Sequence, residues 1–246
     1  MANRKVPFEI GEHYHVYNRG IDKRNIFSTQ KDVDRFIQSI IEFNTIEPIG
    51  SIYEKLFVPK KNFGGSTSKT TSKKVETELA QNKRDKNKLV DFIAYCVNPN
   101  HYHFIVRQVS EKGIQKFMHR LATGYTMYFN EKENRSGALF QGRFKSIHIN
   151  SNEYLLHLSA YVNLNNHVHN FGGSTSKIIK TRSSWGEYIN GESGKSSGGA
   201  GNICARDIVL GQFRNKREYK EFALESLETI RQRKEELKGI QEFLLE

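Results

Sequence analysis

Nine residues in mid-chain, Asn98-Pro99-Asn100-His101-Tyr102-His103-Phe104-Ile105-Val106, restrict the fold more than any other stretch. Leu89 to Cys96 and His101 to Val109 both read as strands, and the turn residues Asn98, Pro99 and Asn100 between them predict a hairpin. Alternation sets His101 and His103 on one face of the sheet, where two neutral imidazoles can share one divalent metal, and turns Tyr102 to the other face. The spacing alone is common. His13 and His15 repeat it in the first strand-like run, His13 to Asn18, and there the reading is of ordinary sheet-surface histidines.

The elements around the hairpin follow from periodicity. Val33, Phe36, Ile37, Ile40 and Ile41 recur at helical spacing behind Thr29 and Asp32, which resemble a capping box. Ile114, Phe117, Met118, Leu121, Tyr125 and Tyr128 predict a second helix over Gly113 to Asn134. Ala138 to Ile149 alternates as a strand, and Ser151 is a good N-cap for a helix to about Asn166. The order β, α, β, β, α, β, α predicts an α+β fold, the ferredoxin-like split βαβ arrangement of an antiparallel sheet with helices on one face.

The rest divides by composition. Residues 1–169 form the expected core domain, with an inserted loop at 60–88 rich in Lys, Ser and Thr. Residues 170–202 read as a Gly/Ser-rich linker or insertion, and 203–246 as a mainly helical extension. With 38 Lys and Arg against 27 Asp and Glu, the formal charge of +11 favours a polyanionic partner such as nucleic acid. No apolar run approaches the roughly 20 residues that cross a bilayer, so a cytoplasmic, nucleoid-associated protein is expected. Cys96 and Cys204 are too far apart in sequence for a CxxC metal site and read as ordinary thiols.

The helix after Ser151 carries Tyr154, His157, Tyr161 and Asn165 on one stripe and Leu155, Leu158 and Val162 on another. A tyrosine followed four residues later by an amide can bring a hydroxyl nucleophile and a metal-binding oxygen to one point. Core packing is the competing reading of the stripe. Four segments in order, YHVYNRG (Tyr14 to Gly20), NPNHYHFIV, GALFQGRFKS (Gly137 to Ser146) and YVNLNN (Tyr161 to Asn166), resemble the REP-associated tyrosine transposases of the single-tyrosine HUH superfamily. The resemblance spans about Glu12 to Asn170, with a weaker echo at Ser183 to Tyr188 (SSWGEY) and Ile203 to Phe222. Relatives usually have Asn-Pro where this chain has Asn165-Asn166, which leaves the end of the helix open.

This resemblance implies a metal-dependent transesterase that recognises hairpin DNA beside a single-stranded cleavage site. His101, His103 and Asn165 would hold Mg²⁺ or Mn²⁺, and Tyr161 would form a 5′-phosphotyrosine. His157, one turn before Tyr161, is expected to help move the phenolic proton. Arg19, Lys23, Arg24, Arg143 and Lys145 are the expected phosphate contacts, with Gln141 and Tyr102 as weaker candidates. A monomer is favoured over a homodimer. The alternatives are another HUH nuclease, a relaxase or replication initiator, and a hairpin-binding protein without catalysis.

One feature is independent of the fold. The octapeptide NFGGSTSK occurs at Asn62 to Lys69 and again at Asn170 to Lys177. A linker requires composition, not identical order. In the genetic code Phe (TTT) and Lys (AAA), Gly (GGA) and Ser (TCC), and Gly (GGT) and Thr (ACC) are reverse complements. FGG and TSK are therefore complementary halves about a central Ser, as captured palindromic DNA would leave them.

Overall fold

The computed structural model describes residues 7–47, 87–168, 181–190 and 202–243. Nearly all of the expected insertion 60–88, much of the linker 170–202 and both NFGGSTSK copies lie outside the described residues.

Strand β1 (His13–Arg19) pairs antiparallel with β3 (His101–Gln108) and with β4 (Lys145–His148). Strand β2 (Val90–Asn98) closes the hairpin with β3 and pairs on its outer side with β5 (Arg182–Ser183). The sheet order is β4-β1-β3-β2-β5. Without β5 this is the order of the split βαβ unit, so the α+β, ferredoxin-like class holds.

Two helices of that unit, α1 (Gln30–Phe43) and α2 (Gly113–Lys132), cover one face. Phe36 of α1 meets Tyr102 with ring centres 5.5 Å apart, and Phe117 of α2 meets Phe92 at 5.4 Å. Asp32 fixes the start of α1, its Oδ2 accepting from Ser28 and Thr29 N–H at 2.9 and 2.7 Å. The third long helix, α3 (Asn152–Asn163), departs from a one-faced arrangement. It packs on the opposite face, where Tyr161 meets His103. The reason lies in β2 and β3, which are almost continuously buried and so need cover on both sides.

Three boundaries differ from expectation. Only Lys145–His148 of the strand expected over 138–149 is regular, because Gly137 and Gly142 take φ of +86° and +66° and turn the chain out of the extended region. The helix begun by Ser151, whose Oγ accepts Tyr154 N–H, ends at Asn163; Leu164 (φ −109°, ψ 11°) breaks it, and Asn165 opens a short α4 (Asn165–Val168). The stretch 182–190 within the expected linker supplies β5 and α5 (Trp185–Ile189). Gly and Ser around it mask a short aromatic pattern: Tyr188 is fully buried and its hydroxyl donates to Ile93 O at 2.7 Å.

The C-terminal segment, α6 (Asp207–Leu210) and α7 (Lys216–Phe243), packs on α3. Tyr219 of α7 is buried, and its hydroxyl accepts from Asn163 Nδ2 at 2.8 Å and lies 3.1 Å from Ser159 Oγ. Both cysteines are buried and free, and burial pushes the Cys96 thiol up to about 12. Among the described residues no helix is long and apolar enough to cross a membrane.

Candidate active site

Closing the β2–β3 hairpin brings Asn98, Asn100 and His101 together, and the break after α3 aims Asn165 back at them. His101 Nδ1 lies 2.6 Å from the acceptor Asn100 Oδ1, so Nδ1 carries the proton and Nε2 the lone pair. That Nε2 is 3.1 Å from Asn165 Oδ1, placing two acceptors face to face. The Asn98 amide bridges them, Nδ2 lying 2.7 Å from Asn165 Oδ1 and 3.0 Å from His101 Nε2. Asn98 and Asn165 are completely buried. Burial holds the His101 pKa below its ordinary value, against an opposing contribution from Asn165, which keeps the ring neutral and its lone pair available.

His103 shares the face, its ring centre 5.2 Å from that of His101. Its Nδ1 is 2.9 Å from His15 Nε2. His15 is buried, and burial pushes its pKa down to about 4, so one proton serves this nitrogen pair near neutrality. His15 was read from sequence as a surface histidine. The register corrects this, since Tyr17 lies opposite His103 and His15 opposite Ile105, setting both beside the hairpin histidines. Tyr17 stacks on His103 at 5.6 Å and on His15 at 4.9 Å.

Tyr161 is half-buried and meets His103 edge-on, ring centres 5.7 Å apart at 80°. Burial raises its phenol above the ordinary value, while the Asn165 amide pulls the other way. Asn165 Nδ2 is buried without a well-formed hydrogen bond, an amide donor left over beside this hydroxyl. His157 turns elsewhere: its Nδ1 is 3.2 Å from Ser226 Oγ and its ring packs on Phe222 at 4.9 Å. The expected proton-transfer role loses its geometric support, because α7 occupies the flank of α3 on which His157 sits.

A cleft of about 380 Å³ opens over the histidines, lined also by Tyr17, Arg19, Lys23, Gln141 and Lys145. Arg19 Nε donates to Gln141 Oε1. Lys23 reaches the cleft from a turn with φ of +59°, and Gly20 permits that turn, since a Cβ there would lie 2.3 Å from Arg24 O. Arg24 forms an exposed ion pair with Asp22 at 3.4 Å. Arg143 lines a separate groove with Met118 and Phe140, beyond the Gly142 turn. Among the described residues no three His, Cys, Asp or Glu side chains cluster as metal ligands. Beside His101 and His103 the amide oxygen of Asn165 is a further, uncharged donor.

Residues 52–166 match the family model of the IS200-like transposases. The matched residues include His101, His103, Tyr161 and Asn165. A solved structure of a REP-associated tyrosine transposase bound to a REP hairpin aligns with 77% of this chain and 86% of its own, at 14% identity and a TM-score of 0.43. No curated protein matches the sequence.

Proposed function

We propose that this chain is a metal-dependent single-stranded DNA endonuclease and strand transferase that recognises hairpin DNA and works through a 5′-phosphotyrosine on Tyr161. The observation that supports this best is the meeting of His101, His103, Asn165 and Tyr161 on one sheet face, beside a cleft with three basic side chains. The donor set fits a divalent cation: two neutral imidazoles and an amide oxygen suit Mg²⁺ or Mn²⁺, and His101 Nε2 and Asn165 Oδ1 stand face to face as acceptors, held there by the Asn98 amide that bridges them. When bound, that ion supplies charge against the negative charge developing on the scissile phosphate.

The Tyr161 oxygen attacks phosphorus, a new P–O bond to the phenol forms, and the bond to the neighbouring 3′-oxygen breaks. The phenolic proton leaves and the 3′-oxygen gains one, giving a 5′-phosphotyrosine and a free 3′-OH. One phosphodiester replaces another, so a 3′-OH reverses the step without ATP. The Asn165 amide favours the phenolate. Arg19, Lys23 and Lys145 neutralise phosphates along the cleft, with Arg24 and Arg143 further out, and the Tyr17 ring offers a stacking surface for an unpaired base. One chain suffices, since α3 lays Tyr161 on its own sheet, which favours a monomer.

Incubating the protein with a labelled single-stranded hairpin oligonucleotide and Mn²⁺ is expected to give a covalent protein–DNA adduct on a denaturing gel, abolished by chelator. Tight binding with no adduct under any metal would instead establish the non-catalytic hairpin binder.

His15 acts as a positioning residue for His103 in this reading, taking the Nδ1 proton so that Nε2 serves the metal. His15→Ala is expected to weaken Mn²⁺ affinity about 10–100-fold by calorimetry without DNA. His15→Gln, whose amide oxygen can take the same N–H, is expected to recover most of it. Unchanged affinity in the alanine variant would refute the role.

A further inference from the structure

The chain twice leaves its described core for a stretch that holds a copy of NFGGSTSK, and each time it returns to its point of departure. At the first exit, Ile46 N–H donates to Asn87 O at 2.8 Å. Just inside it, Asn44 Oδ1 accepts from Leu89 and Val90 N–H at 3.1 and 3.0 Å, and its Nδ2 donates to Val90 O at 2.8 Å. Arg120 of α2 ties the same place by donating to Thr45 O. At the second, Asn166 Nδ2 donates to Thr181 Oγ1 at 3.2 Å, and β5 begins at the next residue.

A segment whose two ends are fastened together in this way adds little to the cost of folding, because closure entropy grows only with the logarithm of length. Closing these exits requires no particular order of residues between them. An identical octapeptide in both needs a cause outside the fold, and FGG and TSK, which reverse-complementary codons can encode, supply one at the level of DNA. In the second copy Asn170 and Ile178, which AAT and ATT can encode, allow the complementarity to extend by a further codon pair.

We infer that both copies are one inverted repeat captured in the coding sequence, and that the hairpin it forms, TTTGGAGGT paired with ACCTCCAAA across a TCT loop, is the DNA this chain recognises. The inference rests on the hairpin transferase function proposed above and adds the identity of the hairpin. A strand transferase inserts the element it binds: the element's 3′-OH displaces the tyrosine from a 5′-phosphotyrosine, forming one P–O bond as another breaks. Insertions that interrupt a strand or helix destroy the protein, and those that preserve the reading frame at a fastened exit survive. Both copies lie in stretches between such fastened ends.

Binding of the full chain to three labelled single strands tests the inference. They are the inferred hairpin, the same strand with one arm scrambled so that it cannot pair, and an unrelated hairpin of equal stem length and composition. The inferred hairpin is expected to bind at least about tenfold tighter than either control, a difference of about 1.4 kcal/mol. Equal affinity for the two hairpins, with a covalent adduct still formed, overturns the inference and leaves the transferase standing. No adduct on any strand with Mn²⁺ overturns the transferase, and no preference for the inferred hairpin over its controls overturns the inference. The gene's nucleotide sequence is an independent check, since codons that unpair the arms in both copies refute the captured repeat.

Discussion

Tyr161→Phe is expected to abolish the covalent DNA adduct and to slow strand cleavage at least about 1000-fold, while hairpin affinity and unfolding midpoint stay at their wild-type values. The substitution removes one oxygen and keeps the ring, so the edge-on contact with His103 and the packing of α3 persist. The hydroxyl's neighbour is the amide of Asn165, whose nitrogen lacks a well-formed partner. Loss of activity with retained binding therefore identifies a nucleophile and not a structural residue. The measurement is a denaturing gel of labelled oligonucleotide beside a binding isotherm for each protein. Survival of the adduct in the variant would move the nucleophile to another hydroxyl, and Tyr17 of the same cleft would be the first to test.

Asp32→Ala is expected to destabilise the protein by about 3–5 kcal/mol at neutral pH. Asp32 is completely buried, and its carboxylate accepts from Ser28 and Thr29 N–H, from the Tyr128 hydroxyl at 2.8 Å and from Lys132 Nζ at 2.8 and 2.9 Å. It thus joins the first turn of α1 to the last turns of α2, and its removal leaves several buried donors unpaired. Burial pushes its pKa up, but Lys132, Tyr128 and the two backbone N–H groups outweigh that and hold it below the ordinary 3.8. A depressed carboxyl stabilises the fold fully above its unfolded value, and that contribution is lost as pH falls through the folded value. The gap between wild type and variant in urea unfolding is therefore expected to narrow below about pH 4. A variant within 1 kcal/mol of wild type at pH 7 would show that the network carries little net stability.

Much of this arrangement is legible in the order of residues because it depends on near neighbours. Period-2 alternation set His101 and His103 on one face and Tyr102 on the other, and Tyr102 is indeed buried against Phe36. Period-3.6 spacing found α1, α2 and α3, and Ser151 marked where α3 begins. Composition hid the pieces whose signal is short: β5 and α5 lie among Gly and Ser, yet Tyr188 and Glu187 anchor them, Glu187 Oε2 accepting from Ile203 and Cys204 N–H at 3.1 Å. Helical spacing suggested that His157 faces the site with Tyr161, but a stripe on a helix says nothing of what packs there, and α7 covers that flank.

By itself the sequence determined the succession of strands and helices, the hairpin with its paired histidines, and the tyrosine and amide four residues apart. Each of these is a local property, set by backbone geometry and the character of residues a few places away. The tertiary structure alone decided that α3 lies on the face opposite α1 and α2, that His15 shares a proton with His103 across 88 positions, and that Asn98 bridges His101 and Asn165. These contacts depend on strand register and on a helix break at Leu164, and both are fixed by burial summed over the whole sheet.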